Sequence, residues 1–266
     1  MTVPIFDVRD VKYSYHEVTA LDGLNLTIMP GQRIALLGAN GSGKSTLLSL
    51  LDGLYFPEKG SVAFRGEPLT EHKLSGESEF NFRRRVALVF QNPDVQLFNP
   101  TVFDEIAFGP LQMQWPGEQI QVRVAEILEQ MEIAHLKDRS PHHLSTGEKK
   151  RVALASVLIL DPEVLLLDEP TAALDPKSES QMIDFLVGCS GGRKTVVTAT
   201  HDLDLVEDIA DYCHVFQRGR IVAAGTPSEI LNDHALLLST NLIHAHRHAH
   251  SPGELHSHPH RHGHRH

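Results

Sequence analysis

The sequence predicts an α/β fold with a mostly parallel central sheet, and two patterns support this prediction. Four short, continuous apolar runs are typical of strands that are buried on both faces. They are QRIALLG (32–38), RVALVF (85–90), VLLLDE (164–169) and TVVTAT (195–200). Helical patterns separate the later runs. Because strands that alternate with helices usually form a parallel sheet with helices on its faces, we expect that architecture here.

The N-terminal segment predicts a different kind of strand. Residues 5–28 alternate apolar and polar side chains and are rich in Val, Ile, Tyr and Thr. This alternation favours antiparallel strands with one buried face. A Pro30-Gly31 turn separates the segment from the first buried run. We therefore expect an antiparallel β subdomain at the N-terminus.

Helical periodicity and a change in composition define the rest of the chain. Apolar residues at 120, 124, 127, 128 and 131 lie on one face of a helix predicted over residues 117–133. A further helix is predicted to begin near Ser145. The composition changes after about residue 243. We expect one domain over residues 1–243 and a disordered, histidine-rich tail over residues 244–266.

The bulk composition excludes several classes of protein. The 266 residues are 41% hydrophobic and 22% charged, and the net charge of −10 argues against nucleic acid as the main partner. Cys189 and Cys213 form no paired motif, which favours a reducing, cytoplasmic compartment. We see no signal peptide and no apolar run near the roughly 18 residues of a membrane span. Membrane association is therefore expected only through partner proteins.

A glycine-rich loop follows the first buried run. Residues 38–45, GANGSGKS, fit the phosphate-loop pattern G-x-x-x-x-G-K-[ST]. Glycines let backbone N–H groups surround a phosphate, and the N-terminus of the next helix faces it. Lys44 would reach the β- and γ-phosphates, and the Ser45 hydroxyl would bind Mg²⁺. The strand–loop–helix order predicts a P-loop core that binds a nucleoside triphosphate through Gly38, Asn40, Gly41, Ser42, Gly43, Lys44, Ser45 and Thr46.

Two acids stand at the end of another predicted strand, in VLLLDEP (164–170). Ligands collect at the carboxyl edge of a parallel sheet, so these acids are expected beside the phosphate loop. Asp168 would hold Mg²⁺, and Glu169 would polarise an attacking water as a general base. Together, the loop and the acids predict a hydrolytic site.

Further motifs resemble those of the ABC-type ATPases, in the order typical of that family. LSTGEKKR (144–151) resembles the signature sequence, and VLLLDEPTAALD (164–175) resembles the Walker B strand and D-loop. The resemblance covers roughly residues 5–230 and implies a role for several single residues. These are Tyr15 for stacking on adenine, Gln91 for Mg²⁺ and the attacking water, Asp175 for the D-loop, and His201 for the γ-phosphate.

The resemblance also implies an assembly. Residues of about 93–157 would form an inserted helical subdomain that contacts transmembrane partners. Two ATPase subunits, identical or related, would pair head to tail, with ATP between the Lys44 loop of one and Ser145 to Gly147 of the other.

The signature departs from the usual LSGGQ at Thr146 and Glu148. Ser145 and Glu148 also fit a capping box, which would hold the helix N-terminus open to an anion. Ser145, Gly147 and Glu148 are therefore predicted to contact nucleotide.

One stretch of the sequence indicates a particular subgroup of the family. Residues 86–111 contain FQNPDVQLF and a following VFDEIAFGP, which are similar to the energy-coupling-factor and cobalt/nickel importers. A vitamin importer of the same type is the alternative. A non-transport ABC protein is a second alternative, although such proteins usually carry a coiled-coil insertion or two tandem ATPase halves, and neither is visible here.

The tail suggests the cargo. Imidazole nitrogens suit Ni²⁺, Co²⁺, Zn²⁺ and Cu²⁺, so a histidine-rich segment predicts metal handling. It could buffer the ion or sense it, or be a solvated end without function. In a third class of protein, metal storage would be the main activity. The candidate tail ligands for nickel or cobalt are His244, His246, His248, His250, His256, His258, His260, His262, His264 and His266.

Overall fold

The computed structural model describes residues 2–188, 194–251 and 254–261, and for residues 244–261 it describes the backbone. The strands are β1 (Phe6–Tyr15), β2 (Val18–Ile28), β3 (Arg33–Leu37), β4 (Lys59–Phe64), β5 (Glu67–Pro68), β6 (Val86–Val89), β7 (Val164–Asp168), β8 (Thr195–Thr200), β9 (Tyr212–Gln217), β10 (Arg220–Gly225), β11 (Ile243–Ser251) and β12 (Glu254–Arg261).

The helices lie between these strands. They are α1 (Lys44–Leu51), α2 (Glu77–Arg83), α3 (Val102–Gln112), α4 (Gly117–Gln130), α5 (Thr146–Leu158), α6 (Pro176–Gly188), α7 (Val206–Ile209), α8 (Pro227–Asn232) and α9 (His234–Ser239). Short 3-10 helices cover Pro93–Val95, Ala134–Leu136 and Pro141–His143. Across residues 2–188, 194–251 and 254–261, no helix is both long and apolar enough to cross a membrane.

The predicted parallel sheet is confirmed. Its strand order is β10-β9-β3-β8-β7-β6, and all neighbours pair in parallel except β10 with β9. Every residue of β7 and β8 is buried, as expected for apolar runs covered on both faces. The phosphate loop follows β3, and the two acids stand at the end of β7. Since only β8 separates these strands, the loop and the acids meet at one edge.

The predicted antiparallel sheet is confirmed as well, with the order β2-β1-β4-β5. Helix α1 packs between this sheet and the parallel one. Its Leu47, Leu48, Leu50 and Leu51 share one core cluster with apolar residues of both sheets. The start of α1, which carries Lys44, is thereby fixed to both sheets.

A second core cluster joins the parallel sheet to the helical region. Helix α4 buries Ile120, Val124, Ile127 and Leu128, and Met131 follows it into the core, which confirms the predicted apolar stripe. Helix α3 packs on α4 and α5. The signature motif at the start of α5 is therefore held by a rigid group of helices.

The backbone of the tail is described over residues 244–251 and 254–261, while the predicted division into a domain and a disordered tail stays a prediction. Strands β11 and β12 pair as an antiparallel ribbon, with Ile243 opposite Arg261 at its base. The physical reason lies in the sequence, where histidines alternate with other residues at the period of a strand. Leu242 and Ile243 are buried in the second core cluster, so the ribbon starts directly from the folded domain. Residues 262–266 lie outside the described residues.

Candidate active site

The phosphate loop runs from Gly38 to Gly43, between β3 and α1, and two of its glycines are required by close packing. A Cβ atom at Gly38 would lie 2.6 Å from the carbonyl oxygen of Phe216. At Gly43, where φ is +110°, it would lie 2.6 Å from the carbonyl oxygen of Ala20. Neither position accepts a side chain without moving the neighbouring backbone. The loop is therefore pressed against β2 and β9, and the Ser42 N–H closes a turn within it by donating to the carbonyl oxygen of Ala39 at 3.1 Å.

Lys44 lies inside this loop and is 5% exposed. Its Nζ donates to the carbonyl oxygens of Gly38, at 2.6 Å, and Ala39, at 3.3 Å. The same atom is 3.9 Å from Oε1 of Glu169. Burial lowers the pKa of Lys44, while Glu169 and Asp168 act in the opposite direction. The ammonium group thus stands between the loop and the acids of β7.

Asp168 and Ser45 form the oxygen-rich part of the site. Oδ1 of Asp168 is buried and has no hydrogen-bond partner among the described residues. Burial raises the pKa of Asp168, and a hydrogen bond with the exposed Ser45 side chain opposes that rise. An unpaired carboxylate oxygen beside a hydroxyl group matches the hard oxygen ligands that Mg²⁺ prefers. These residues therefore fit a magnesium ion.

Glu169 is buried and lies between the Lys44 ammonium and the His201 imidazole. Its Oε1 atom is 2.8 Å from Nδ1 of His201, and its backbone N–H donates to the carbonyl oxygen of Ala199 at 2.9 Å. The residue has a φ of +47°, in the left-handed region that few side chains adopt. The hydrogen bond with Glu169 raises the pKa of His201. The structure thus confines the carboxylate to one orientation, facing Lys44 and His201.

Lys150 holds the turn that follows Glu169, a role that the sequence reasoning did not assign. Its side chain is 3% exposed. Nζ donates to the carbonyl oxygens of Glu169, Pro170 and Ala172 at 2.8, 3.2 and 2.7 Å. Burial lowers the pKa of Lys150 to about 8. The only sequence signal is a lysine within the signature helix, and nothing local shows that it points inward.

The signature motif begins α5 with the predicted capping box. Ser145 Oγ accepts from the Glu148 N–H, and the Ser145 N–H donates to Glu148 Oε2 at 2.8 Å. That bond lowers the pKa of Glu148. Gly147 faces α6, since a Cβ atom there would lie 2.5 Å from Ser178 Oγ. Asp175 accepts from the same Ser178 hydroxyl at 2.6 Å and caps α6, so the D-loop and the signature are in contact.

Tyr15 belongs to a cluster of three tyrosines. Tyr13 and Tyr55 stack with ring centroids 5.4 Å apart, and Tyr15 meets both edge-on at 5.1 and 5.7 Å. The Thr46 hydroxyl is 3.5 Å from the Tyr15 hydroxyl, which ties the cluster to α1. Tyr15 is 41% exposed, so its ring remains available to a base. Tyr13 and Tyr55 are additions to the predicted site.

The other predicted residues are placed as follows. Gln91 is exposed just after β6, the strand next to β7, and Asn40 and Gly41 are at the open side of the phosphate loop. Ser42 is buried, and its carbonyl oxygen accepts from the Gly219 N–H at 2.9 Å. Ser145 is exposed at the start of α5, and Gly147 is buried there against α6.

Titratable groups also lie outside this edge, among the residues whose side chains are described. Among the side chains of residues 2–188 and 194–243, no cluster of three His, Cys, Asp or Glu residues could hold a metal ion. Burial raises the pKa of the Cys213 thiol to about 12 and lowers the pKa of His214 to about 4. Cys189 lies outside the described residues.

Comparison with known proteins agrees with this geometry. The family model described as "ABC transporter" matches residues 21–172. The nickel import ATP-binding protein NikO of Rhodobacter capsulatus is 55% identical over 244 residues, covering 90% of this chain and 96% of that protein.

Two solved structures share the fold. The structure of cbiO1 from Clostridium perfringens, described as part of the ABC transporter complex cbiONQ, has a TM-score of 0.75 at 38% identity. The matched region covers 90% of this chain and 95% of the cbiO1 chain. A dimeric post-hydrolysis state of the ATP-binding cassette MJ0796, bound to ADP and Pi, has a TM-score of 0.74 at 27% identity over 84% and 98% of the two chains. The chain therefore belongs to the ABC transporter family, as an ATP-hydrolysing subunit.

Proposed function

We propose that this chain powers the import of a divalent transition-metal ion, nickel or cobalt, through membrane partner proteins. The observation that carries the proposal is the 55% identity with the nickel import ATP-binding protein NikO over almost the full length of both chains. The similarity to cbiO1, a part of a multi-subunit transporter complex, supports the same kind of assembly. The chain would act at the cytoplasmic face of the membrane.

The proposed hydrolytic roles follow from the contacts at the edge of the parallel sheet. Glu169 would take a proton from the attacking water, because its carboxylate is buried and fixed by His201. Lys44 would exchange the carbonyl oxygens of Gly38 and Ala39 for phosphate oxygens. His201 would then contact the γ-phosphate. Tyr15 would stack on adenine.

Magnesium would be held by Ser45 and Asp168, with Gln91 completing the shell. When bound, the ion neutralises phosphate charge as the terminal phosphate leaves. The unpaired Oδ1 atom of Asp168 supports this assignment. The other proposed nucleotide contacts are Gly38, Asn40, Gly41, Ser42, Gly43 and Thr46.

A second ATPase subunit, identical or related, would complete each site with Ser145, Gly147 and Glu148. Two features support this proposal. The capping box leaves the N-terminus of α5 well ordered, and the contact of Gly147 with Ser178 couples the signature to the D-loop. The dimeric MJ0796 structure with ADP and Pi provides the precedent for such pairing.

The membrane partner would dock on the helical region. Within residues 95–111 of that region, four apolar side chains are exposed, which a free surface rarely retains without a partner; they are Val95, Phe98, Phe108 and Leu111. The rings of Phe98 and Phe108 pack edge to face, with centroids 5.0 Å apart. This patch follows Gln91 along the chain, so it is well placed to connect nucleotide binding with the partner.

The test measures uptake of radioactive nickel and cobalt in cells that express the chain with its membrane partners. Glu169→Gln should abolish uptake and trap an ATP-bound dimer, while the matched surface variant Glu126→Gln should behave like the wild type. Normal ATP hydrolysis by Glu169→Gln would show that the general base is wrong. If neither metal is transported by the wild-type complex, the vitamin importer of the same type becomes the better assignment.

A further inference from the structure

Helices α5 and α6 meet at two successive levels. At the first level, Gly147 lies against Ser178, whose hydroxyl donates to Asp175 at 2.6 Å. About one turn further along each helix, Arg151 Nη1 donates to Gln181 Oε1 at 2.5 Å. Residues three or four positions apart share one face of a helix, so both contacts lie where α5 and α6 face each other. Arg151 and Gln181 thus form a second contact between the signature helix and the helix that follows the D-loop.

The second contact extends to the end of α4. Gln181 Nε2 donates to Glu132 Oε2 at 2.7 Å, so the amide group of Gln181 serves two neighbours. Its oxygen binds α5, and its nitrogen binds the turn after α4. Glu132 occupies that turn with a φ of +56°. A continuous chain of hydrogen bonds through Arg151, Gln181 and Glu132 therefore joins three helices, and we call these residues the helix bridge.

The helix bridge spans a space that apolar packing does not fill. A cavity of about 1180 Å³ opens between α4, α5 and α6, and its lining includes Ile127, Leu158 and Met182 as well as the bridge residues. Close packing is what normally fixes the separation of helices, and the cavity interrupts it here. The Nε atom of Arg151 is also buried without a hydrogen-bond partner among the described residues. Because an unpaired buried donor is unfavourable, the arginine is not the side chain that stability alone would favour at this position.

Arg151 acts on the signature motif as well. The pKa of Glu148 is lowered first by the backbone hydrogen bond from Ser145 and further by the positive charge of Arg151. The charged carboxylate of Glu148 accepts the Ser145 N–H in the capping box at the start of α5. Arg151 therefore supports the start of the signature helix and, through Gln181, its contact with α6.

We propose that Arg151 is a positioning residue that sets, through Gln181, the spacing between the signature motif and the D-loop of one subunit. The inference rests on the proposed pairing of two ATPase subunits and adds a residue that determines its geometry. In that pairing, the signature contacts the nucleotide of the partner subunit, and the D-loop lies directly beside the signature. A change in their spacing weakens the dimer, whereas the ATP site within one chain keeps all its residues.

The test uses the full-length Glu169→Gln protein, which is expected to form an ATP-bound dimer. Analytical ultracentrifugation with ATP gives the dimer dissociation constant, and ATP titration at protein concentrations below that constant gives the affinity of the single chain. Adding Arg151→Met or Gln181→Leu should raise the dimer dissociation constant about tenfold and leave the single-chain affinity unchanged. The double variant should lose no more than either single variant, because all three remove the same bond. The control Arg123→Met changes another arginine of the cavity, one that pairs with Glu126 at 2.6 Å, and should dimerise like the parent.

The possible outcomes separate the bridge from the pairing on which it rests. A dimer of the Arg151→Met protein as tight as that of its Glu169→Gln parent would overturn the role of Arg151 and leave the pairing intact. Additive effects in the double variant, or an equal loss of ATP affinity in the single chain, would do the same, because they indicate separate or general damage to the fold. A Glu169→Gln protein that stays monomeric with ATP would overturn both the pairing and the role of Arg151.

Discussion

Replacing Lys150 by methionine tests whether this buried lysine holds the catalytic turn. The change removes three hydrogen bonds, those to the carbonyl oxygens of Glu169, Pro170 and Ala172. A buried polar group without a partner costs about 1–3 kcal/mol. Part of this cost is offset, because the ammonium no longer has to be desolvated. With three carbonyl oxygens left without a donor and this offset, we expect the free energy of unfolding to fall by about 3–5 kcal/mol.

The functional effect should exceed what the loss of stability explains. Glu169 has a left-handed backbone conformation, and that conformation depends on the turn that Lys150 secures. Without it, the carboxylate loses its fixed position beside His201. A misplacement of about 1 Å can cost roughly 100-fold in rate, so we expect kcat to fall by about that factor, with a smaller change in KM.

The assay combines urea unfolding with steady-state ATPase measurements at a temperature where the variant is folded. Lys149 provides the matched control, since its ammonium pairs with Asp94 near the surface at 2.7 Å. Lys149→Met should change stability by about 0–1 kcal/mol. A Lys150→Met protein with wild-type kcat and stability would refute the view that the three carbonyl contacts fix the turn.

Three further predictions concern the same edge of the sheet. The pKa of His201 is raised above 6.5 by Glu169, so its stabilising contribution is present below about pH 6.5 and is lost as the pH rises through the raised pKa. The free energies of unfolding of the wild type and His201→Gln should thus differ most at acidic pH. A difference between the two free energies that does not change with pH would contradict this. Gly43→Ala should cost about 1–3 kcal/mol and weaken ATP binding in melting and ATP-titration experiments. The control Gly117→Ala should change neither, since among the described residues no atom beyond its own helix and chain neighbours lies within 4 Å of the new Cβ. Tyr55→Ala should raise the KM for ATP about two- to tenfold through the loss of ring contacts. Tyr55→Phe keeps the ring and should have the KM of the wild type. A Tyr55→Ala protein with the wild-type KM would show that Tyr55 does not support the Tyr15 ring.

The features that sequence reasoning predicted well are determined by neighbouring residues. Apolar runs identified the parallel strands, and the serine at 145 followed by the acid at 148 identified the start of α5. Lys150 and Tyr55 were not assigned because their roles depend on partners elsewhere in the fold. Nothing near Lys150 shows that its ammonium reaches carbonyls about twenty residues ahead. The predicted disorder of the tail rests on its composition and stays a prediction, although histidines also alternate there with other residues at the period of a strand.

The contacts of Lys44 also bear on how the protein releases its product. The Lys44 ammonium donates to two backbone oxygens of its own loop, those of Gly38 and Ala39. Phosphate must compete with these internal ligands, so the affinity of the loop reflects a difference between two sets of bonds. When phosphate leaves, the carbonyl oxygens of Gly38 and Ala39 can again accept hydrogen bonds from the Lys44 ammonium. The buried ammonium is then not left without a hydrogen-bond partner. Exchange between these oxygens and phosphate oxygens would let phosphate bind and leave while the buried ammonium always has hydrogen-bond partners.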